Sequence, residues 1–160
     1  GNAGRLYMAT VLIVDDDNAI RETLAELLSS SHECHTADRA EQALAYLEVE
    51  DYDVVLTDIS MPGLSGREVL KTVQERHPAT PVIVISGNAN TEAAEELLSN
   101  GAFAYLTKPF QLEIVEDTVI RAIARRQELR TSQPDRNNGE SRTREGAPVS
   151  ADTPVRQGST

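Results

Sequence analysis

Five side chains able to do chemistry stand where short apolar runs stop. Val11–Val14 ends in Asp15 and Asp16, Val54–Leu56 in Thr57-Asp58, Val82–Ile85 in Ser86, and Ala104–Leu106 in Thr107-Lys108. Runs of this length, rich in β-branched residues and halted by turn formers such as Pro62-Gly63, read as buried strands. Asp58 then sits at the carboxyl end of a central strand, where open α/β sheets place their ligands. Taken singly, an Asp near Pro-Gly ordinarily opens a turn, and a lone Lys is a solvated charge. Two carboxylate sites, a hydroxyl and an ammonium at matching strand ends make a different case.

Unit charges about 4 Å apart repel by roughly 4 kcal/mol at an effective dielectric near 20, so three convergent carboxylates need positive partners. Lys108 supplies one charge, and a divalent cation would supply the rest. Oxygen ligands with room for water suit Mg²⁺, or Mn²⁺, over zinc. A carboxylate at such a site is a competent nucleophile towards phosphorus and gives an aspartyl-phosphate. The cation and Lys108 would stabilise the equatorial phosphoryl oxygens, and the Ser86 hydroxyl could donate to a third. Pro109 biases Lys108 to extended geometry, which would fix the direction of its side chain.

The elements that must position these groups alternate. After strand Thr10–Val14, Ile20, Leu24, Leu27 and Leu28 fall at helical spacing behind an Asp17 or Asn18 N-cap. Glu33–Ala37 is a weaker strand. Asp38-Arg39-Ala40-Glu41 resembles a capping box opening a helix with Ala40, Ala43, Leu44 and Leu47 inward. Ser65-Gly66-Arg67-Glu68 is a capping box in the strict form, followed by Val69, Leu70 and Val73. Val82–Ile85, apolar throughout, is expected to be covered on both faces. Thr91–Asn100 is a helix with Gly101 at its C-terminal cap, Ala104–Thr107 a strand, and Gln111 to about Arg130 the last helix. Its core stripe reads Leu112, Val115, Val119, Ala122 and Ile123, leaving Ile114 and Ile120 towards solvent. Five strands alternating with five helices imply an α/β fold, a doubly wound parallel sheet with helices on both faces.

Composition narrows the function. The 160 residues carry 15 Lys+Arg against 26 Asp+Glu, a net charge of −11 that argues against direct nucleic-acid binding. Residues 1–128 hold 10 basic and 22 acidic residues, so the folded part carries the excess. The single Cys34 excludes an internal disulfide and suits a reducing compartment, hence a cytoplasmic expectation. No apolar stretch approaches the ~20 residues of a membrane span. Residues 1–8 read as a cloning scar and start, with Met8 as the natural first residue, and 9–130 as one domain. Residues 131–160, rich in Pro, Gly, Ser, Thr and Arg, read as a disordered tail or linker.

His32, Cys34 and His35 invite a zinc reading, but on a strand His32 and His35 point to opposite faces and Cys34 packs as a small hydrophobe. His77 precedes Pro78 in a loop with no evident partner. There is no Gly-rich phosphate loop and no nucleophile elbow.

Val11-Leu12-Ile13-Val14-Asp15-Asp16-Asp17, Leu56-Thr57-Asp58-Ile59-Ser60-Met61-Pro62-Gly63, Val84-Ile85-Ser86-Gly87 and Ala104-Tyr105-Leu106-Thr107-Lys108-Pro109-Phe110 together resemble the receiver domain of two-component response regulators. The resemblance spans roughly Thr10 to Gln127, four motifs in register. It implies a flavodoxin-like sheet in the order 2-1-3-4-5. It implies a phosphorelay in which Asp58 accepts a phosphoryl group from a phosphohistidine on a histidine kinase or histidine phosphotransfer protein. Asp16 would bind Mg²⁺ directly, Asp15 through water, and Asp58 and the Ser60 backbone carbonyl would complete the metal ligands. Lys108 would contact the phosphoryl group, Ser86 would swing towards it, and Tyr105 would turn inward. The face of the fourth helix, fifth strand and last helix would then change shape for an output domain, a downstream protein or a second copy in a homodimer. The module would be a switch rather than an enzyme, with only slow self-phosphorylation and self-dephosphorylation.

Departures from the family pattern are few. Ser86 replaces the commoner Thr and keeps its hydroxyl, and Gly87 replaces a frequent Ala. Ser60 and Asn88 occupy positions that in the family influence phosphoryl lifetime, and Phe103-Ala104 replaces the acidic pair of one transcription-factor subfamily. The competing reading is a Mg²⁺-dependent phosphohydrolase, which would need an acid two residues after its nucleophile, where Ser60 stands. A receiver that only docks is the third.

Overall fold

The structure, a computed structural model, describes residues 8–131. The expectations for the start of the chain and for its tail lie mostly outside those residues. Packing divides the chain into residues 1–126 and 127–160, and of the second unit the described part is the end of the last helix.

Ten elements alternate: β1 (Thr10–Val14), α1 (Asn18–Ser29), β2 (Glu33–Ala37), α2 (Ala40–Val49), β3 (Val54–Asp58), α3 (Gly66–Arg76), β4 (Val82–Ser86), α4 (Thr91–Ser99), β5 (Ala104–Thr107) and α5 (Leu112–Thr131). The strands form one sheet in the order β2-β1-β3-β4-β5, every pair parallel. As expected of strands covered on both faces, every residue of β3 and β4 is buried.

Alternate side chains feed two cores. Val11, Ile13, Val54, Leu56, Ile83 and Ile85 point to one face, where Leu24 and Leu28 of α1 and Val115, Val119 and Ala122 of α5 close over them. Leu12, Val14, Val55, Val82 and Val84 point to the other, beneath Ala43 and Leu47 of α2, Val69 and Val73 of α3 and Leu97 of α4. At about 25 cal/mol per Å² of apolar surface removed from water, this two-sided burial dominates the folding energy.

The helix starts bear out most of the capping logic. Asp17 caps α1, its Oδ1 accepting from the N–H of Ala19 and Ile20 at 2.9 and 3.2 Å. Asn90 caps α4 by accepting from Glu92 and Ala93. Ser65 caps α3 through Arg67 N–H at 3.1 Å, but the strict box does not close: Glu68 N–H donates to the Ser65 carbonyl, and the Glu68 side chain does not reach back to the Ser65 N–H. The Asp38 capping box does not form. Arg39 occupies the N-cap position of α2 with no side-chain cap, Asp38 pairs with Arg39, and Asp38 N–H donates to Gln42 Oε1. Gln42, one residue beyond the box glutamate, reaches back instead.

Two side-chain assignments change, the α5 stripe and His77. Leu112, the first residue of the helix, is 41% exposed and outside the α5 stripe. Thr118 and Arg126 join the stripe instead. His77 has partners: its ring meets the Leu47 carbonyl at 2.9 Å and Asp51 Oδ1 at 3.2 Å, tying the end of α3 to the end of α2. His35 sits between Tyr52 OH and Glu33 Oε2, and Cys34 packs partly buried against the α1–α5 core, which leaves no role for a shared metal.

Candidate functional site

The strand ends place the reactive side chains because the ladder continues one residue past each strand. Asp15 N–H donates to the Ala37 carbonyl, Ile59 N–H to Ile85 and Lys108 N–H to Ser86, the last at 2.7 Å. These bonds fix the backbone at Asp15, just after Asp58 and at Lys108. Val14 stands opposite Thr57, Asp58 opposite Ile85, and Ser86 opposite Thr107. Asp15, Asp58 and Ser86 are buried, while Asp16 is exposed at the mouth.

Asp15, Asp16 and Asp58 each bring a carboxylate oxygen to within 4.8 Å of the others. Lys108 Nζ lies 3.2 Å from Asp15 Oδ2 and 3.5 Å from Asp58 Oδ1. The Lys108–Pro109 peptide is cis. Burial, then the charge of Asp15, pushes the Asp58 carboxyl up to about 6, against the opposing pull of Lys108. Burial alone would lower the Lys108 pKa, but contact with Asp15 and Asp58 outweighs it and holds the ammonium above its ordinary value.

Three ionised carboxylates and one ammonium leave a formal charge of −2, the charge a divalent cation neutralises. A second observation fits such an ion: Asp15 Oδ2 is buried and accepts no well-directed hydrogen bond, although Lys108 Nζ is 3.2 Å away. A buried carboxylate oxygen whose one positive neighbour makes no well-directed hydrogen bond keeps lone pairs for a second positive partner. An all-carboxylate donor set suits a hard cation such as Mg²⁺.

Beside the acidic pocket lies a cleft of about 370 Å³ lined by Ile59, Ser60, Met61, Ser86, Asn88 and Tyr105 among others. Ser86 Oγ accepts the Asn88 N–H at 3.0 Å, and the half-buried Tyr105 donates its hydroxyl to the Asn88 carbonyl. The two residues assigned to a switch thus meet on one loop residue. Ser60 lies in the exposed loop after β3, at the rim of that cleft.

Two contributors escape sequence reasoning. Gly66 opens α3 so close to β3 that a Cβ there would fall on the Asp58 carbonyl oxygen and the Ile59 Cα. A glycine directly after an N-cap serine was the available signal. Arg21, one turn into α1, donates to the Asp15 carbonyl at 2.7 Å, and nothing in the local sequence announced that bond.

This doubly wound sheet with an acidic pocket at its strand ends defines a class, and comparison with known proteins agrees. Residues 11–120 match the response regulator receiver domain, and the chain belongs to that family. It is therefore a phosphoacceptor signalling module of two-component systems. It is 40% identical over 119 residues to the DNA-binding transcriptional regulator NtrC of Salmonella typhimurium, covering 74% of this chain and 25% of that protein. It is 39% identical over 114 residues to the response regulator protein FleR of Pseudomonas aeruginosa, covering 71% of this chain and 24% of that protein. The crystal structure of a response regulator receiver domain protein from Clostridium thermocellum superposes with a TM-score of 0.71 at 31% identity, over 76% of this chain and 99% of that one. The chain thus spans about a quarter of the length of these curated relatives. Among the described residues no helix is long and apolar enough to cross a membrane.

Proposed function

We propose that Asp58 is the phosphoacceptor, taking a phosphoryl group from a phosphohistidine on a histidine kinase or phosphotransfer protein in the cytoplasm. The observation that carries this reading is Asp58 at the end of the central strand, 3.5 Å from Lys108 and grouped with Asp15 and Asp16. An Asp58 carboxylate oxygen attacks phosphorus, the O–P bond forms as the P–N bond breaks, and the imidazole leaves with the electron pair. Asp15, Asp16, Asp58 and the Ser60 carbonyl would hold Mg²⁺, which when bound supplies charge stabilisation to the transferring group. Lys108 is already placed to swing its ammonium from Asp15 and Asp58 onto an incoming phosphoryl oxygen. Ser86 keeps its hydroxyl proton free to donate while accepting from Asn88.

Movement of Ser86 would pull on the Asn88 loop and release the Tyr105 hydroxyl from the Asn88 carbonyl. The α4-β5-α5 face would change in consequence, for an output domain, a downstream protein or a second copy of the chain. Self-phosphorylation and self-dephosphorylation would be slow; for the latter, position 60 carries Ser60 and not a carboxylate that could act as general base on an attacking water.

Intact-mass measurement after incubation with Mg²⁺ and acetyl phosphate tests the reading. One phosphoryl group should be gained, and chelation or Asp58→Asn should each abolish the gain. A wild-type chain that stays unmodified by both acetyl phosphate and an active phosphohistidine donor would refute it.

A further inference from the structure

Asp15 is held from three directions, one of them by the side chain of Arg21. Its N–H donates to the Ala37 carbonyl at 3.1 Å, its Oδ1 accepts the Asp17 N–H at 2.8 Å, and its main-chain carbonyl accepts Arg21 Nη1 at 2.7 Å. The remaining polar atom, Oδ2, is the buried oxygen without a well-directed hydrogen bond. The guanidinium is itself braced, with Nη2 donating to Asn18 Oδ1 at 2.6 Å.

The carbonyl that Arg21 grips belongs to the peptide plane that leads into Asp16. A peptide unit is rigid, so fixing the Asp15 C=O also fixes the Asp16 N and the position of the Asp16 Cα from which that side chain departs. Asp16 is exposed, so its direction relies on the backbone rather than on burial. A hydrogen bond from a charged donor is among the stronger neutral-oxygen contacts, and a planar fork held at two points has little freedom left to lose.

We propose that Arg21 is a positioning residue for divalent-cation binding, acting through the Asp15–Asp16 peptide. The inference rests on the reading of the acidic pocket as a cation site. It has a rival of opposite sign: a guanidinium close to the pocket also repels a cation, and if that repulsion dominated, removing Arg21 would tighten binding. Groups that orient metal ligands without touching the metal typically contribute ten- to a hundredfold in affinity, and a positioning role predicts loss of that order.

Calorimetric titration of the full chain with Mg²⁺ after chelator treatment decides between them. Arg21→Met, which keeps the apolar stem but has no donor, should weaken Mg²⁺ binding roughly tenfold or more. Arg21→Lys, which keeps a donor and the charge, should stay within about threefold of wild type by the same reasoning. Urea midpoints in chelator should change little, separating positioning from general destabilisation. Asn18→Ala guards against a poorly folded Arg21→Met protein; by removing the brace, together with an exposed bond to Glu22, it should weaken binding a few fold. Arg21→Met binding as tightly as wild type, or more tightly, overturns the proposal. So does Arg21→Lys as weak as Arg21→Met. A wild-type chain that takes up no Mg²⁺ brings down the cation site itself, an outcome distinct from an intact site indifferent to Arg21.

Discussion

Asp58 titrates in a setting that opposes its own ionisation. Its carboxyl is pushed up to about 6 by burial and by Asp15, so the folded protein holds the proton more tightly than the unfolded chain does. The group therefore favours folding at low pH, and that contribution is lost as pH rises from the ordinary carboxylate value through about 6. At 1.36 kcal/mol per pKa unit, the loss is on the order of 2–3 kcal/mol. Without divalent ions at pH 7.5, Asp58→Asn should be more stable than wild type by about 1–3 kcal/mol in urea unfolding, with the gap narrowing towards pH 5. The same proton competes with a cation, so Mg²⁺ affinity should fall about tenfold between pH 7 and pH 5 in calorimetry. Lys108 competes for the same oxygens. Lys108→Met should bind Mg²⁺ at least as tightly as wild type while taking phosphoryl from acetyl phosphate at least about tenfold more slowly, because a transition-state contact is gone.

One glycine sets how closely α3 approaches the acidic strand end. The start of the helix touches the Asp58 main chain, and an added methyl there meets backbone atoms that have no rotamer to escape into. Gly66→Ala should cost about 2 kcal/mol or more in urea unfolding and also weaken Mg²⁺ binding, since β3 must shift to admit the methyl. At the far end of α4, Gly101 has φ +106 and the helix closes by Gly101 N–H to Leu98 and Ala102 N–H to Leu97. That pairing is a Schellman cap, and the Gln74 carboxamide of α3 fills the space where a Cβ would go. Gly101→Ala should destabilise by about 1–2 kcal/mol and leave Mg²⁺ affinity unchanged, because the strand ends lie at the other end of α4.

Opposite the acidic pocket, at the amino ends of the strands, a buried clasp ties α5 to the sheet. Arg126 donates to Asp53 Oδ1 at 2.9 Å and to Thr80 Oγ1 at 2.8 Å, while Asp53 Oδ2 accepts the Thr10 N–H and Thr80 donates to the Tyr52 carbonyl. One ion pair thereby fastens the starts of β1 and β3, the loop before β4, and the last helix. Arg126→Met removes both the buried ion pair with Asp53 and the bond to Thr80, and should cost about 2–4 kcal/mol. A cycle with Asp53→Asn should return a coupling above about 1 kcal/mol, again without change in Mg²⁺ affinity.

The order of elements, both cores and the identity of the pocket residues were legible in the chain itself. Period-2 and period-3.6 patterns are local properties, and Asp15, Asp16, Asp58, Ser86 and Lys108 each stand within two residues of the end of an apolar run. Asp17 shows itself as a cap for the same reason. What tertiary structure decided were contacts between residues distant in the chain: Arg126 with Asp53, Gln74 over Gly101, His77 on the end of α2, and Gly66 against the Asp58 carbonyl. It also decided by length and reach within a turn, where Gln42 displaced the expected Asp38 cap and Arg21 found the Asp15 carbonyl. Periodicity states which face a residue takes, but the distance between two faces is a property of the packed whole.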